Sequence, residues 1–241
     1  MNVTIDIGNT RAKIGLFADG KLEQHWSIPK GEILSLSDSL TNHSIKNVIL
    51  STVAQDVGQE IRRFWGARIN FIELNENTPL PIRNSYRTPK TLGKDRLAAV
   101  VGASLLAEGA HKLVIDAGTC ITYDILTAEQ EYLGGNIAPG IEMRLQAMHT
   151  FTARLPALTK GETESAIGYH TQSAMQNGAQ WGTIWEIEGT IDYFEAKFES
   201  LTVILTGGDA IFLAKKMKRK IFVHQHLVLV GLNKILDYNV E

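Results

Sequence analysis

Val3-Thr-Ile-Asp-Ile-Gly-Asn-Thr-Arg-Ala-Lys-Ile-Gly-Leu-Phe17 is the stretch whose reading decides the fold. Val3 to Ile5 form an apolar, β-prone run, Gly8-Asn9 is a turn signal, and Ala12, Ile14 and Leu16 alternate behind it. The pattern predicts a β-hairpin with a two-residue turn. Asp6 is the acidic residue at the end of the first strand, Thr10 places a hydroxyl in the turn, and Lys13 returns on the second strand. A carboxylate, bare glycine backbone, a hydroxyl and a lysine are the groups that a magnesium-bound polyphosphate requires. They equally suit an ordinary hairpin whose Asp6 caps its own turn.

The hairpin occurs twice. Leu113-Val-Ile-Asp-Ala-Gly-Thr-Cys-Ile-Thr-Tyr-Asp-Ile-Leu126 repeats the order of strand, aspartate, glycine two residues on, hydroxyl and strand, so that Asp116 matches Asp6 and Gly118 matches Gly8. Each copy of an internal repeat brings its own structural unit. Two such units face to face would set two carboxylates on opposite sides of one cleft, a layout suited to phosphoryl transfer. The paired hairpins resemble those of acetate and sugar kinases, actin and actin-fold chaperones, whose duplicated domains bind ATP through them. The fold implied by this resemblance is α/β: duplicated actin-like (ribonuclease H-like) domains with mixed sheets flanked by helices. Residues 1–110 would form the half with the phosphate-binding hairpin and the substrate loop. Residues 111–241 would form the half with the second hairpin, the dimer helices and the adenosine side.

The bulk properties are compatible with that division. The chain has 241 residues, room for two domains of about 120. A hydrophobic fraction of 44% and a charged fraction of 21% are ordinary for a globular protein. A net charge of −2 argues against nucleic acid or an anionic membrane as partner. The one cysteine, Cys120, excludes an internal disulfide framework and suits a reducing compartment. No apolar run reaches the roughly 18 residues of a membrane span, and the N-terminus lacks a signal peptide's basic start and long apolar core. The expected location is the cytoplasm.

Between the hairpins, Lys21 to Ser27 alternate as a third strand and residues 28–44 have the apolar spacing of a helix (Ile33, Leu34, Leu36, Leu40). Asn47 to Val53 reads as a buried strand, Gln55 to Phe64 as a helix and Phe71 to Leu74 as a strand. Pro79, Pro81 and Pro89 make 76–90 a loop. The loop leads into Gly93-Lys-Asp-Arg96 and then a helix of small residues from Leu97 to Leu106. Asp95 and Arg96 therefore stand at a helix N-terminus, where dipole and free N–H groups favour anions. Two readings of Asp95 follow: a helix cap, or a general base for a substrate hydroxyl, with Arg96 gripping a carboxylate or phosphate.

Asp6-Ile-Gly-Asn-Thr10, Gly93-Lys-Asp-Arg96, Asp116-Ala-Gly-Thr119 and Gly134-Gly-Asn-Ile-Ala-Pro-Gly140 occur in this order. The ordered set resembles type III pantothenate kinase, which performs the first step of coenzyme A synthesis. The resemblance implies that Asp6, Ile7, Gly8, Asn9, Thr10, Arg11, Ala12 and Lys13 form the hairpin that binds the phosphates of MgATP, with Asp6 near Mg²⁺ and Thr119 touching ATP. It implies that Gly93, Lys94, Asp95 and Arg96 bind pantothenate, that Asp95 accepts the proton of its primary hydroxyl, and that Tyr86 lines the same site. Asp116 would ligate a monovalent cation, K⁺ or NH₄⁺. Thr171 would contact pantothenate from the neighbouring subunit of a homodimer.

Towards the C-terminus, Gly134 to Gly140 either walls the substrate site or packs tightly against a neighbour. Ile141 to Thr150 reads as a helix, and His149 as a surface or interface histidine rather than a catalyst. A long helical region from Thr171 to Phe198 is expected to break near Gly178 or Gly182, with Trp181 and Trp185 on its apolar side. Leu201 to Asp209 reads as a buried strand running into Gly207-Gly208, where the actin-type fold holds adenosine, and Leu227 to Leu236 as a closing helix. Lys215 to Lys220 reads as a solvated basic face. Three other functions are open to such a chain: a non-catalytic nucleotide binder or accessory factor for transcription, an actin-like or chaperone ATPase, and a sugar or acetate kinase. Asp6 and Asp95 disfavour the first, and the chain length disfavours the second. Length and the Gly93–Arg96 loop disfavour the third.

Overall fold

The structure, a computed structural model, describes residues 1–8, 11–34, 40, 43–52, 55–65, 69–162, 165–219 and 221–240. The chain divides into two compact units: Met1–Glu108 with Glu129–Leu133 and His226–Glu241, and Gly109–Ala128 with Gly134–Gln225. The helices with fully described bounds are α1 (Gln55–Trp65), α2 (Lys94–Ser104), α3 (Ile141–Thr150), α4 (Thr171–Glu195), α5 (Ala210–Lys216) and α6 (Leu227–Val240).

In the first unit β1 (Asn2–Ile7), β2 (Arg11–Ala18) and β3 (Lys21–Pro29) form an antiparallel meander. Alongside β1 run β4 (Asn47–Thr52) and then β5 (Asn70–Glu73), both parallel to it, giving the order β3-β2-β1-β4-β5. The alternation of Ile5, Ile7, Ala12 and Ile14 buries them in one core with Val3, Val48 and Leu50. The first hairpin closes where the Gly8 N–H donates to the Arg11 carbonyl at 3.0 Å; Asn9 and Thr10 lie outside the described residues. The helix expected in 28–44 is described only in part, with a 3-10 turn at Lys30–Glu32.

Three asparagines begin the parallel strands in register: Asn2, Asn47 and Asn70. Asn70 donates to Asn47 at 2.7 Å, Asn47 to Asn2 at 2.8 Å, and Asn2 to the Asp237 carboxylate of α6 at 2.6 Å. The C-terminal helix, grouped by the sequence reading with the second half, packs in the first unit. Two glycines permit this. A Cβ on Gly231 would stand 1.8 Å from the Ala98 carbonyl oxygen, and one on Gly102 would stand 2.4 Å from the Leu227 oxygen. The backbones of α2 and α6 therefore meet with no side chain between them.

The second unit repeats the pattern. β7 (His111–Ala117) and β8 (Cys120–Leu126) form the second hairpin, β10 (Leu201–Thr206) runs parallel to β7, and β11 (Phe222–Val223) runs parallel to β10. The order is β11-β10-β7-β8-β9, where β9 is Glu131–Pro139. The first residues of β9 belong to the first unit, where β6 (Arg83–Asn84) pairs with them in parallel. Leu113, Ile115, Tyr123, Leu145, Ile187 and Leu205 share the second core.

The long helix α4 runs unbroken through Gly178 and Gly182, contrary to expectation. Met175, Ala179, Thr183, Ile187 and Ile191 recur every four residues and are buried. Each glycine weakens a helix by about 1 kcal/mol relative to alanine, and burial of that stripe outweighs the cost. α6 also runs further than expected and includes Asn239. Among the described residues no helix is long and apolar enough to cross a membrane.

Candidate active site

Asp6 is the penultimate residue of β1, 7% exposed, beside Ser51 of β4 and opposite Lys13 of β2 in the strand registers. The Ser51 hydroxyl, itself 2% exposed, donates to Asp6 Oδ1 at 3.0 Å. Ile7 and Ala12 turn their side chains into the core, so their contribution to a phosphate site is main-chain. Gly8 is exposed and Lys13 half-buried. Arg11 is drawn back to β3, where its Nε donates to Ser27 Oγ at 2.8 Å and a terminal nitrogen to the Ser27 carbonyl.

α2 supplies the second group. Gly93 is its N-cap, and a Cβ there would lie 2.6 Å from Asp95 Oδ1. The Asp95 side chain is exposed, and its Oδ1 accepts from the Arg96 N–H at 2.9 Å. Asp95 is therefore not the cap of the first reading, because Gly93 holds that position and Asp95 lies in the first turn; its bond still satisfies one helix N-terminal N–H and leaves the residue exposed. Lys94 reaches back to β4, its Nζ donating to the Thr52 carbonyl at 3.2 Å.

Arg96 is 4% exposed and lies with its guanidinium carbon 5.5 Å from the centroid of the Tyr86 ring, within cation–π range. Tyr86 stacks in turn on Tyr132, centroids 6.1 Å apart and planes 8° from parallel. The segment leading from β6 to Tyr86 is fastened by Arg83 and Ser85, which both donate to the Glu131 carboxylate. These bonds, Ser85's foremost, hold the Glu131 pKa below its ordinary value.

In the second unit Asp116 is half-buried, opposite Thr122 and beside the buried Thr206 of β10. Gly207 follows at φ +96°, and a Cβ on it would lie 2.4 Å from Asp116 Oδ1 and 2.3 Å from the Ala117 oxygen. Only glycine lets this turn wrap so closely around the aspartate. Gly118 donates to the Cys120 carbonyl at 2.9 Å and Thr119 is exposed. Lys160 forms an ion pair with Asp209 immediately after the Gly207-Gly208 turn. Gly134 to Pro139 form the second part of β9, and Gly140 follows it; of the two readings of this stretch, tight packing accounts for Gly135 and Gly140. A Cβ on Gly135 would meet the Tyr123 oxygen at 1.6 Å, and one on Gly140 the Gly118 oxygen at 2.1 Å. The Tyr123 hydroxyl donates to Glu186 at 2.7 Å, and burial and that carboxylate push its pKa up. Glu186 also accepts from Arg144 at 2.5 Å, and Arg144 donates to the Pro139 carbonyl at 2.9 Å. Thr171 is the exposed first residue of α4, after His170, whose Nδ1 accepts from the Ser173 N–H at 3.3 Å. His149 is exposed, its Nδ1 2.8 Å from the Leu155 carbonyl. The basic run is not wholly solvated: Arg219 pairs with Asp192 and Glu195.

Ser51, Tyr132, Lys160 and Asp209 escaped the sequence reading. One signal was available for the first. Val48-Ile-Leu-Ser51 echoes Val203-Ile-Leu-Thr206, so each half sets a hydroxyl residue beside its hairpin aspartate.

Residues 2–193 match the family model described as type III pantothenate kinase. The chain belongs to the type III pantothenate kinase family. A type III pantothenate kinase from Phocaeicola vulgatus is 41% identical over 243 residues, covering 99% of each chain. Among solved structures, a Campylobacter jejuni protein described as a Baf family transcriptional activator has TM-score 0.64 at 23% identity, covering 98% of both chains. The inorganic polyphosphate/ATP-glucomannokinase of Arthrobacter sp. strain KM has TM-score 0.51 at 14% identity, with 98% of both covered. At such identities the solved structures establish the fold alone, the actin-like kinase fold that the family shares with sugar kinases.

Proposed function

We propose that the chain transfers the terminal phosphoryl group of MgATP to the primary hydroxyl of pantothenate, giving 4'-phosphopantothenate in the first step of coenzyme A biosynthesis. Membership of the pantothenate kinase family across residues 2–193 is the observation that carries this reading. The proposal extends to the division of labour between residues. Asp95 is the general base: it takes the hydroxyl proton as that oxygen attacks the terminal phosphorus and the bond to the bridging oxygen of ADP breaks. The exposure of Asp95 and its orienting bond from Arg96 support the role. Gly93, Lys94, Arg96 and Tyr86 hold pantothenate, Arg96 with its guanidinium fixed over Tyr86.

Asp6 lies near Mg²⁺, and the backbone from Ile7 to Lys13 holds the phosphates with Thr119. The residues fit this assignment. A single hard carboxylate with the remaining positions left to phosphate and water is how Mg²⁺ is commonly bound. When bound, the ion neutralises charge across the terminal phosphates. Asp116 takes the monovalent cation, K⁺ or NH₄⁺; its carboxylate and the Ala117 carbonyl oxygen both lie against the closely wrapped Gly207 turn, a set of hard oxygen donors suited to such an ion.

A homodimer, with Thr171 reaching pantothenate in the neighbouring subunit, belongs to the same proposal. Exposed apolar side chains in and around α3 and α4 support it: Phe151 at 85%, Tyr169 at 82%, with Ile167, Trp185 and Tyr193. Light scattering that found only monomer at micromolar concentration would count against it. The proposed location is the cytoplasm. ADP release with MgATP, with and without pantothenate, in K⁺ and in Na⁺, tests the whole. Turnover is expected to require pantothenate and K⁺, and pantothenate-independent ATPase would overturn the reading.

A further inference from the structure

We infer that Ser51, near the end of β4, is a positioning residue for the Asp6 carboxylate, fixing its orientation toward the metal. The inference rests on the reading of Asp6 as the carboxylate on the Mg²⁺ side. Three observations carry it. The Ser51 hydroxyl donates to Asp6 Oδ1 at 3.0 Å, and both residues are more than nine-tenths buried. Water therefore competes poorly for this bond, and the carboxylate has little freedom to rotate away from it. The donor is itself anchored, because Thr52, the next residue, has its carbonyl held by Lys94 Nζ at 3.2 Å. The end of β4 is thus tied to β1 on one side and to the start of α2 on the other.

The third observation is independent of both bonds. The chain places a buried hydroxyl residue beside each hairpin aspartate, Ser51 beside Asp6 and Thr206 beside Asp116, at equivalent points of two parallel strand pairs. A hydroxyl in this position has no packing advantage over alanine or valine, since a buried O–H must find a partner. Its recurrence beside the two carboxylates points to carboxylate orientation as its purpose. A partner that orients a metal-facing carboxylate from behind sets both its geometry and its basicity toward the ion.

Direct metal binding, without turnover, tests this. Mn²⁺ is titrated into the protein saturated with a non-hydrolysable ATP analogue, and the free ion is followed by its electron paramagnetic resonance signal. Ser51→Ala is expected to weaken Mn²⁺ binding about tenfold, and Ser51→Thr, which keeps the hydroxyl, to stay within about twofold of wild type. Asp6→Asn is measured alongside. If Asp6→Asn weakens binding and Ser51→Ala does not, the positioning role is wrong while the Asp6 assignment stands. If Asp6→Asn binds Mn²⁺ as the wild type does, the Asp6 assignment itself fails. Should Ser51→Ala not fold, Ser51→Cys keeps the shape with a weaker donor, and a wild-type Mn²⁺ affinity in that variant overturns the inference.

Discussion

The Asp95 carboxylate accepts a 2.9 Å hydrogen bond from the N–H of Arg96, its immediate neighbour in the first turn of α2. The bond uses one carboxylate oxygen, Oδ1, and leaves the side chain exposed to solvent. Asp95→Asn keeps a carbonyl oxygen able to accept the same bond, so the helix end is preserved and only the basicity is lost. The expected result is a fall in kcat of about 10²–10⁴-fold, the usual worth of a positioned base, with an unchanged melting temperature. A variant that retained most of its kcat would remove Asp95 from the chemistry.

Gly93→Ala should disturb the proposed base, Asp95, by displacement. The Gly93 backbone has φ −58°, which alanine adopts freely, yet its Cβ would stand 2.6 Å from Asp95 Oδ1. The carboxylate must move, and a misplacement of about 1 Å can cost on the order of 10² in rate. Steady-state kinetics should show kcat reduced with thermal stability nearly intact. Wild-type kcat would mean that the Asp95 position is not critical.

Gly231→Ala is expected to do the reverse, lowering stability first. Its Cβ would overlap the Ala98 carbonyl oxygen at 1.8 Å and approach the Gly102 nitrogen at 2.7 Å, both backbone atoms of α2. Forcing α2 and α6 apart should cost about 1–3 kcal/mol or more. In a chain of this size that corresponds to about 2–4 °C in Tm per kcal/mol. Differential scanning calorimetry measures it directly, and an unchanged Tm would show that the helices separate without penalty.

Glu131 gives a pH-dependent prediction. Its folded pKa is lowered by hydrogen bonds from Ser85 and then Arg83. A depressed carboxylate stabilises the fold above its unfolded pKa and loses that contribution as pH falls through the folded value. The fastening of the segment from Arg83 to Tyr86 should therefore persist at neutral pH and loosen only on the acid side of the ordinary glutamate range. Carboxyl ¹³C chemical shifts should place the Glu131 midpoint below those of exposed glutamates, and Ser85→Ala should move it back up. A midpoint in the ordinary range would mean the bonds are not held in solution.

What the sequence determined by itself was local. Alternation in Val3–Leu16 and in Leu113–Leu126 specifies two hairpins, because strand and turn preferences act within a few residues. The tetrad Gly93–Arg96 reads as a helix start because an acidic first turn before a run of small residues matches the needs of free N–H groups. Tertiary structure alone decided the contacts that tune these pieces. Ser51 meets Asp6 across 45 residues of chain, and Tyr132 lies under Tyr86 although separate stretches supply them. The C-terminal helix joined the first unit because Gly231 and Gly102 let two backbones touch, and α4 ran through its glycines because a buried stripe outweighed their weak propensity. Such outcomes depend on register and close approach between distant segments, and a periodicity of two or 3.6 residues carries no information about which distant segment arrives.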